Sequence, residues 1–278
     1  MIVRLFCPQC AFDASKALKD TIDIEVPVPV SQLADDGIYE VRCGKGHVGN
    51  VILKNVKFEL LFEMGLNALV DGYHREAVSS FASALERYYE FYWRVAMTHL
   101  GVSKPDIEQT WKPLSKMSER QIGAFSTAAL ILTKLKPNLL NPNKQVSFRN
   151  QVIHNGYIPK FEETIDFGNS VMNLINEGLD GLRRLNSDAL LTVYEQTSPR
   201  NHGSNENDSN NDKLVGCVNI LTAIDVRHPP KGKDNRIGDV SSQMDRILCE
   251  RQPKRMQLLT ENEMQKKYPE HTKKLRDG

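Results

Sequence analysis

The sequence predicts an α+β chain in three parts: a small β-rich N-terminal domain, an all-α helical bundle, and a flexible C-terminal extension. Three observations carry this. Residues 1–54 alternate apolar and polar residues in short runs. Residues 55–195 place apolar side chains at helical spacing over long stretches. Residues 196–213, QTSPRNHGSNENDSNNDK, are almost wholly polar, the composition of a flexible linker, and a basic extension over 214–278 follows them.

In the first part, TIDIEVPV, GIYEVRC and VGNVIL each read as a strand. Pro27 and Pro29 place the first of them at a sheet edge, because proline cannot donate to a ladder. Asp35-Asp36-Gly37 is a turn signal. In the second part, Phe58, Leu61, Phe62, Leu66 and Leu69 share one helical face. Ala77, Phe81, Leu85, Tyr88, Tyr92 and Val95 do the same across 73–99. Gly72 separates these helices and Gly101 follows the second. A third helix over about 115–135 stops before Pro137, a short one covers about 143–155, and a fifth spans about 161–184. The helices over 73–99 and 161–184 are long enough to pair as a bundle. Beyond the linker, 214–228 reads as a strand pair and 259–278 as a polar helix or tail.

The net charge is +1, so no global basic field implies sequence-independent binding to long nucleic acid. Charge is uneven: over 227–278, Lys+Arg 13 against Asp+Glu 8 gives +5, which reads first as a solvated tail. No leader and no apolar run of membrane length is visible, so the expectation is a cytoplasmic protein without a membrane partner.

Five cysteines and no leader do not make a secreted disulfide scaffold. Cys7 and Cys10 form C-x2-C, and Cys43 and His47 form C-x3-H after it. Gly44 and Gly46 let the backbone turn around an ion. Three thiolates and one imidazole fill a tetrahedral zinc shell, and the β-rich stretch between the halves fits a zinc ribbon. Four protein ligands leave no place for water, so the Zn2+ is expected to be structural, a staple that a domain of about 50 residues needs. Cys217 and Cys249 have no partner spacing.

Three Arg/His pairs are separated by four residues: Arg42 with His47, Arg94 with His99, and Arg149 with His154. Chance supplies roughly one Arg/His pair over the spacings of four to six together in a chain of this composition. His47 is committed to metal, and Arg94 stands one turn from Glu90, the spacing of an ordinary helix-surface ion pair. Arg149 differs. It is followed by Asn150, its helix stops at Asn155-Gly156, and Pro159 prevents continuation. Asn150 and His154 share a face, whereas Arg149 and His154 lie about 140° apart on an ideal helix. One straight helix therefore does not aim both at one point.

FRNQVIHNGYIP, set between long helices, resembles the HEPN superfamily and its R-x4-6-H motif. The resemblance covers about residues 55–190. It implies a metal-independent endoribonuclease acting as a homodimer through the Arg149/His154 helix, which would relieve the angular mismatch by bringing two motifs into one cleft. It implies an RNA substrate cut to 2′,3′-cyclic phosphate and 5′-hydroxyl ends. The family's usual settings, toxin–antitoxin pairs and antiviral defence, imply an antitoxin or other regulatory partner. His154 would move the proton, Arg149 would stabilise phosphorane charge, and Asn150 would orient the imidazole or bind phosphate. Glu86 and Glu90, one turn apart on the long second helix, are candidate carboxylates to support Arg149, or else a solvated face interleaved with Arg87 and Arg94. The alternative function is a non-catalytic dimerisation, RNA- or protein-binding module. In a third arrangement, the ribbon senses a trigger and the tail restrains the nuclease.

Overall fold

In the computed structural model of the chain, which describes residues 2–16, 25–29, 33–185, 187–199, 215–228 and 239–251, the N-terminal alternation resolves into two small sheets. Strand β1 (Ile2–Phe6) pairs antiparallel with β2 (Glu25–Pro29), Arg4 opposite Pro27. Strands β3 (Ile38–Arg42) and β4 (Val48–Leu53) form an antiparallel hairpin with Val41 opposite Gly49. Between β1 and β2 the chain is not wholly β as expected. Helix α1 (Pro8–Lys16) starts at Pro8, whose fixed φ and missing N–H suit the first helical position. The core of this part is small: Leu5, Val41 and Val51 cluster with Leu33, Tyr39, Val218 and Ile220 around them, and Cys7 and Leu53 are also fully buried.

The helical part follows the predicted periodicity. Helices α2 (Lys57–Val70) and α3 (His74–His99) pack as a pair. Phe62 meets Phe81 at 4.7 Å between ring centroids, and Phe58 meets Tyr88 edge-on at 5.7 Å. Helix α4 (Lys104–Leu114), not expected from the sequence, closes on α3 through Trp111 against Trp93. Helix α5 (Ser118–Thr133) wedges Phe125 among Tyr88, Tyr89 and Tyr92. A π-turn (Pro142–Val146) leads into α6 (Ser147–His154). Helix α7 (Phe161–Leu185) packs along α3, the bundle pairing predicted, and buries Phe167, Ile175 and Leu179. Helix α8 (Ser187–Thr197) runs into the stretch expected to open the linker; the rest of that linker, 200–213, lies outside the described residues.

Beyond the linker, the expected strand pair is one strand, β5 (Val215–Val218), which adds in parallel to the free edge of β4. Helix α9 (Val240–Arg251) packs on α2 and α7. The described part of the extension therefore lies on the body of the protein; the polar tail at 259–278 lies outside the described residues. No helix among the described residues is long and apolar enough to cross a membrane.

Glu59 joins these parts. Its buried carboxylate accepts from the Val226 N–H at 2.7 Å, from Asn55 Nδ2 at 3.0 Å and from the Val56 N–H at 3.2 Å, the last being half of a capping box. Burial pushes its pKa up to about 7, against these hydrogen bonds, which pull it down. The folded chain thus holds this proton more tightly than the unfolded chain, whose glutamate titrates near 4.5. Stability from Glu59 is full at acid pH and declines as pH rises from about 4.5 through about 7, by on the order of 3 kcal/mol. Glu59→Gln is expected to flatten this segment of the curve; denaturant midpoints collected from about pH 5 to about pH 8 check it.

Candidate functional site: a metal knuckle and an Arg/His helix

The two halves of the cysteine motif meet. Cys7 follows β1, and Cys10 lies in the first turn of α1 rather than in a tight loop. Cys43 and His47 flank the tip of the β3–β4 hairpin. That tip is closed by the Cys43 N–H to the His47 carbonyl at 3.1 Å and by the Gly46 N–H to the Cys43 carbonyl at 3.0 Å. Gly46 takes a φ of 84°, the left-handed conformation a side chain resists.

The three Sγ atoms and one ring nitrogen all lie within 4.8 Å of one another. His47 turns Nδ1 inward, 3.3 Å from Cys10 Sγ and 3.9 Å from Cys7 Sγ, while Cys10 and Cys43 are 3.9 Å apart. Cys7, Cys10, Cys43 and His47 can together hold a metal ion. Burial, and then the crowding thiols of Cys7 and Cys43, push Cys10 up to about 11. Burial also pushes Cys43 up, but backbone N–H groups of Lys45 and His47 outweigh it and hold that thiol below its ordinary value. Converging N–H donors on a sulfur are the setting a thiolate ligand requires.

The second candidate group lies on α6. Val152 is fully buried, and Phe148 packs on Phe167 at 5.7 Å and edge-on to Tyr157 at 6.4 Å. These contacts fix the rotation of the helix and leave Asn150 and His154 exposed. The helix ends as predicted: Gly156 takes the left-handed φ of 71°, and the Tyr157 N–H turns back to the Gln151 carbonyl at 3.1 Å.

Arg149 points toward α3. Its Nη2 donates to Glu86 Oε1 at 2.9 Å, and its Nη1 donates to Asn150 Oδ1 at 3.0 Å. The Ser118 hydroxyl, at the start of α5, donates to the same Glu86 oxygen at 2.6 Å. Of the two acids proposed to support Arg149, only Glu86 touches it. Glu90 pairs with Arg87 at 2.7 Å and Arg94 at 2.9 Å, lining an open cleft of about 310 Å³, because one further helical turn carries it past α6. That is the interleaved arrangement weighed as its alternative. Ser118 was not visible in the sequence, since nothing in its spacing connects it to Glu86. His154 is exposed and its ring has no hydrogen-bond partner among the described residues, while the Arg149 guanidinium is engaged by Glu86 and Asn150.

Comparisons of the chain with protein-family models, with curated proteins and with solved structures each return no match.

Proposed function

We propose that the chain is a metal-independent endoribonuclease of HEPN type, acting as a homodimer across α6, with a structural Zn2+ ion on Cys7, Cys10, Cys43 and His47. The observation that carries the reading is the division of labour on α6. Arg149 is held in place by a carboxylate itself fixed by Ser118, while His154 keeps an exposed, uncommitted ring. A pre-oriented guanidinium and a free imidazole, brought together across two copies, would suit charge stabilisation with proton transfer.

In the proposed reaction the 2′-hydroxyl loses its proton to an imidazole and its oxygen attacks the adjacent phosphorus. The P–O5′ bond breaks, and the departing oxygen takes a proton, leaving a 2′,3′-cyclic phosphate and a 5′-hydroxyl. The nucleophile is the RNA's own, so no metal is needed to generate it. Ile158, 77% exposed just beyond His154, gives the α6 face an apolar element that a second copy would cover. The family resemblance places such an enzyme among toxins and antiviral effectors held by a partner.

Purified protein incubated with total RNA and a chelator, with the ends of the products analysed, tests the proposal. Cyclic-phosphate ends support it; no cleavage by folded, dimeric protein overturns it. The second reading, a non-catalytic binding module, draws on the same Arg149–Glu86 pair, because an ion pair of this kind also serves structure alone. Glu86→Ala asks which of these the pair serves in a protein that cleaves. A pair with side chains 23% and 26% exposed is worth about 1 kcal/mol or less, so melting should change little. Cleavage should fall about 10-fold or more if Glu86 positions Arg149; an unchanged rate would assign the pair to structure.

A further inference from the structure

Residues 215–228 lie on the body of the protein, as strand β5 over Val215–Val218 and then as a bent segment, and polar side chains of the body bond to their backbone. The Lys54 N–H donates to the Val218 carbonyl at 2.8 Å, ending the strand pairing. Asn55 then imitates one more strand residue, accepting from the Ile220 N–H at 2.8 Å and donating to its carbonyl at 3.2 Å. Farther along, Glu63 accepts from the Ala223 N–H at 3.2 Å and Glu59 from the Val226 N–H at 2.7 Å. Glu63 is shared: Arg246 of α9 grips both of its oxygens at 2.7 and 2.8 Å. One turn beyond, Arg251 pairs with Asp71 and donates to Asn67 at 2.7 Å. This is how a groove recognises a bound peptide: main-chain bonds along its length and charged clamps at its end.

The strand end of this segment lies under the metal knuckle. Gly216 is buried against Phe6 and Pro8, the residues on either side of Cys7. A Cβ at Gly216 would stand 2.7 Å from the Phe6 ring and 3.2 Å from Pro8. The other wall is β4, which His47 precedes directly. The two walls come from the two halves of the metal motif, and a single ion on the four ligands would hold them together.

We propose that residues 215–228 and 239–251 act as a built-in ligand of the rest of the chain, a latch whose docking is set by metal occupancy of the knuckle. Loss of the ion lets the Phe6–Pro8 wall part from β4, and the latch leaves, uncovering the β4 edge and the acidic row on α2. The inference rests on the metal reading of the four ligands, so metal content is measured in every sample.

The test uses the full chain with a specific protease site placed within 200–213. After cleavage of metal-loaded protein, the C-terminal piece is expected to co-elute with the body in gel filtration. It is expected to separate when a chelator removes the ion, with the helical circular dichroism of the body retained. Co-elution with and without metal overturns the coupling, and separation with metal present overturns the docked unit. Gly216→Val, which touches no ligand, decides the case if chelation melts the whole protein. The cleaved, metal-loaded variant should lose its C-terminal piece at unchanged metal content; retention of the piece would overturn the proposal.

Discussion

His154→Ala is expected to lower RNA cleavage by about 100- to 10,000-fold, the range a positioned proton-transfer group supplies. Stability should stay within about 0.5 kcal/mol of the parent, because the ring is exposed and bonded to nothing among the described residues. That separation makes His154 a cleaner probe than Arg149. Removing Arg149 also strips Glu86 of its ion pair, leaving it the Ser118 hydroxyl. The geometry makes a second demand. On α6, Arg149 faces α3 while His154 lies about 140° around the helix. On the proposed reading, a productive site would combine Arg149 of one copy with His154 of another, or two histidines across the axis. Mixing Arg149→Ala chains with His154→Ala chains should restore part of the cleavage that each has lost alone. Wild-type rates from His154→Ala would remove His154 from the chemistry and end the HEPN-type reading, and failure of the mixture to recover would end the shared site.

How much of this was legible depended on the kind of signal. The long helices were, because Phe58, Phe62, Leu66 and Leu69 on α2, and Ala77 through Val95 on α3, bury one stripe at a 3.6-residue period. Helix α4 was not: it buries only Ile107 and Trp111 and carries Pro105 and Pro113, so its short pattern reads as loop. Helix α1 was hidden by the cysteines, whose spacing suggested a knuckle where the first half is a helix start. The metal ligands were legible because tight turns put them at short fixed spacings. The Arg149 support was half legible: helical spacing offered Glu86 and Glu90 equally, and only the packing of α6 against α3 chose between them. The groove for residues 215–228 left no trace in the sequence. It is made by Asn55, Glu59, Glu63 and Arg183 bonding to main-chain atoms, and such bonds carry neither periodicity nor pairwise spacing.

The larger effect on stability is expected at the knuckle. The buried apolar side chains of the two small sheets, Leu5, Val41, Val51, Ile52 and Leu53, are few for structures of this size, and burial alone is not expected to hold them. Structural zinc binding is worth on the order of 10 kcal/mol in small domains, far more than this core supplies. The α2–α3–α7 core depends on no metal ligand and keeps Phe62, Phe81, Tyr88 and Phe167 buried without one. Cys43→Ser, or chelation of the wild type, should therefore split the chain's behaviour. Amide protection in β3 and β4 should collapse toward that of an open loop, while α3 and α7 retain theirs. Hydrogen exchange read by segment, beside zinc analysis giving about one ion per chain in the wild type and little in Cys43→Ser, measures both halves. If the hairpin stays protected without metal, the sheets fold by themselves and the four ligands are not their staple. If α3 and α7 lose protection together with the hairpin, the two cores are one cooperative unit, joined by the segment 215–228, whose β5 pairs with β4 and whose Val226 N–H bonds Glu59 of α2.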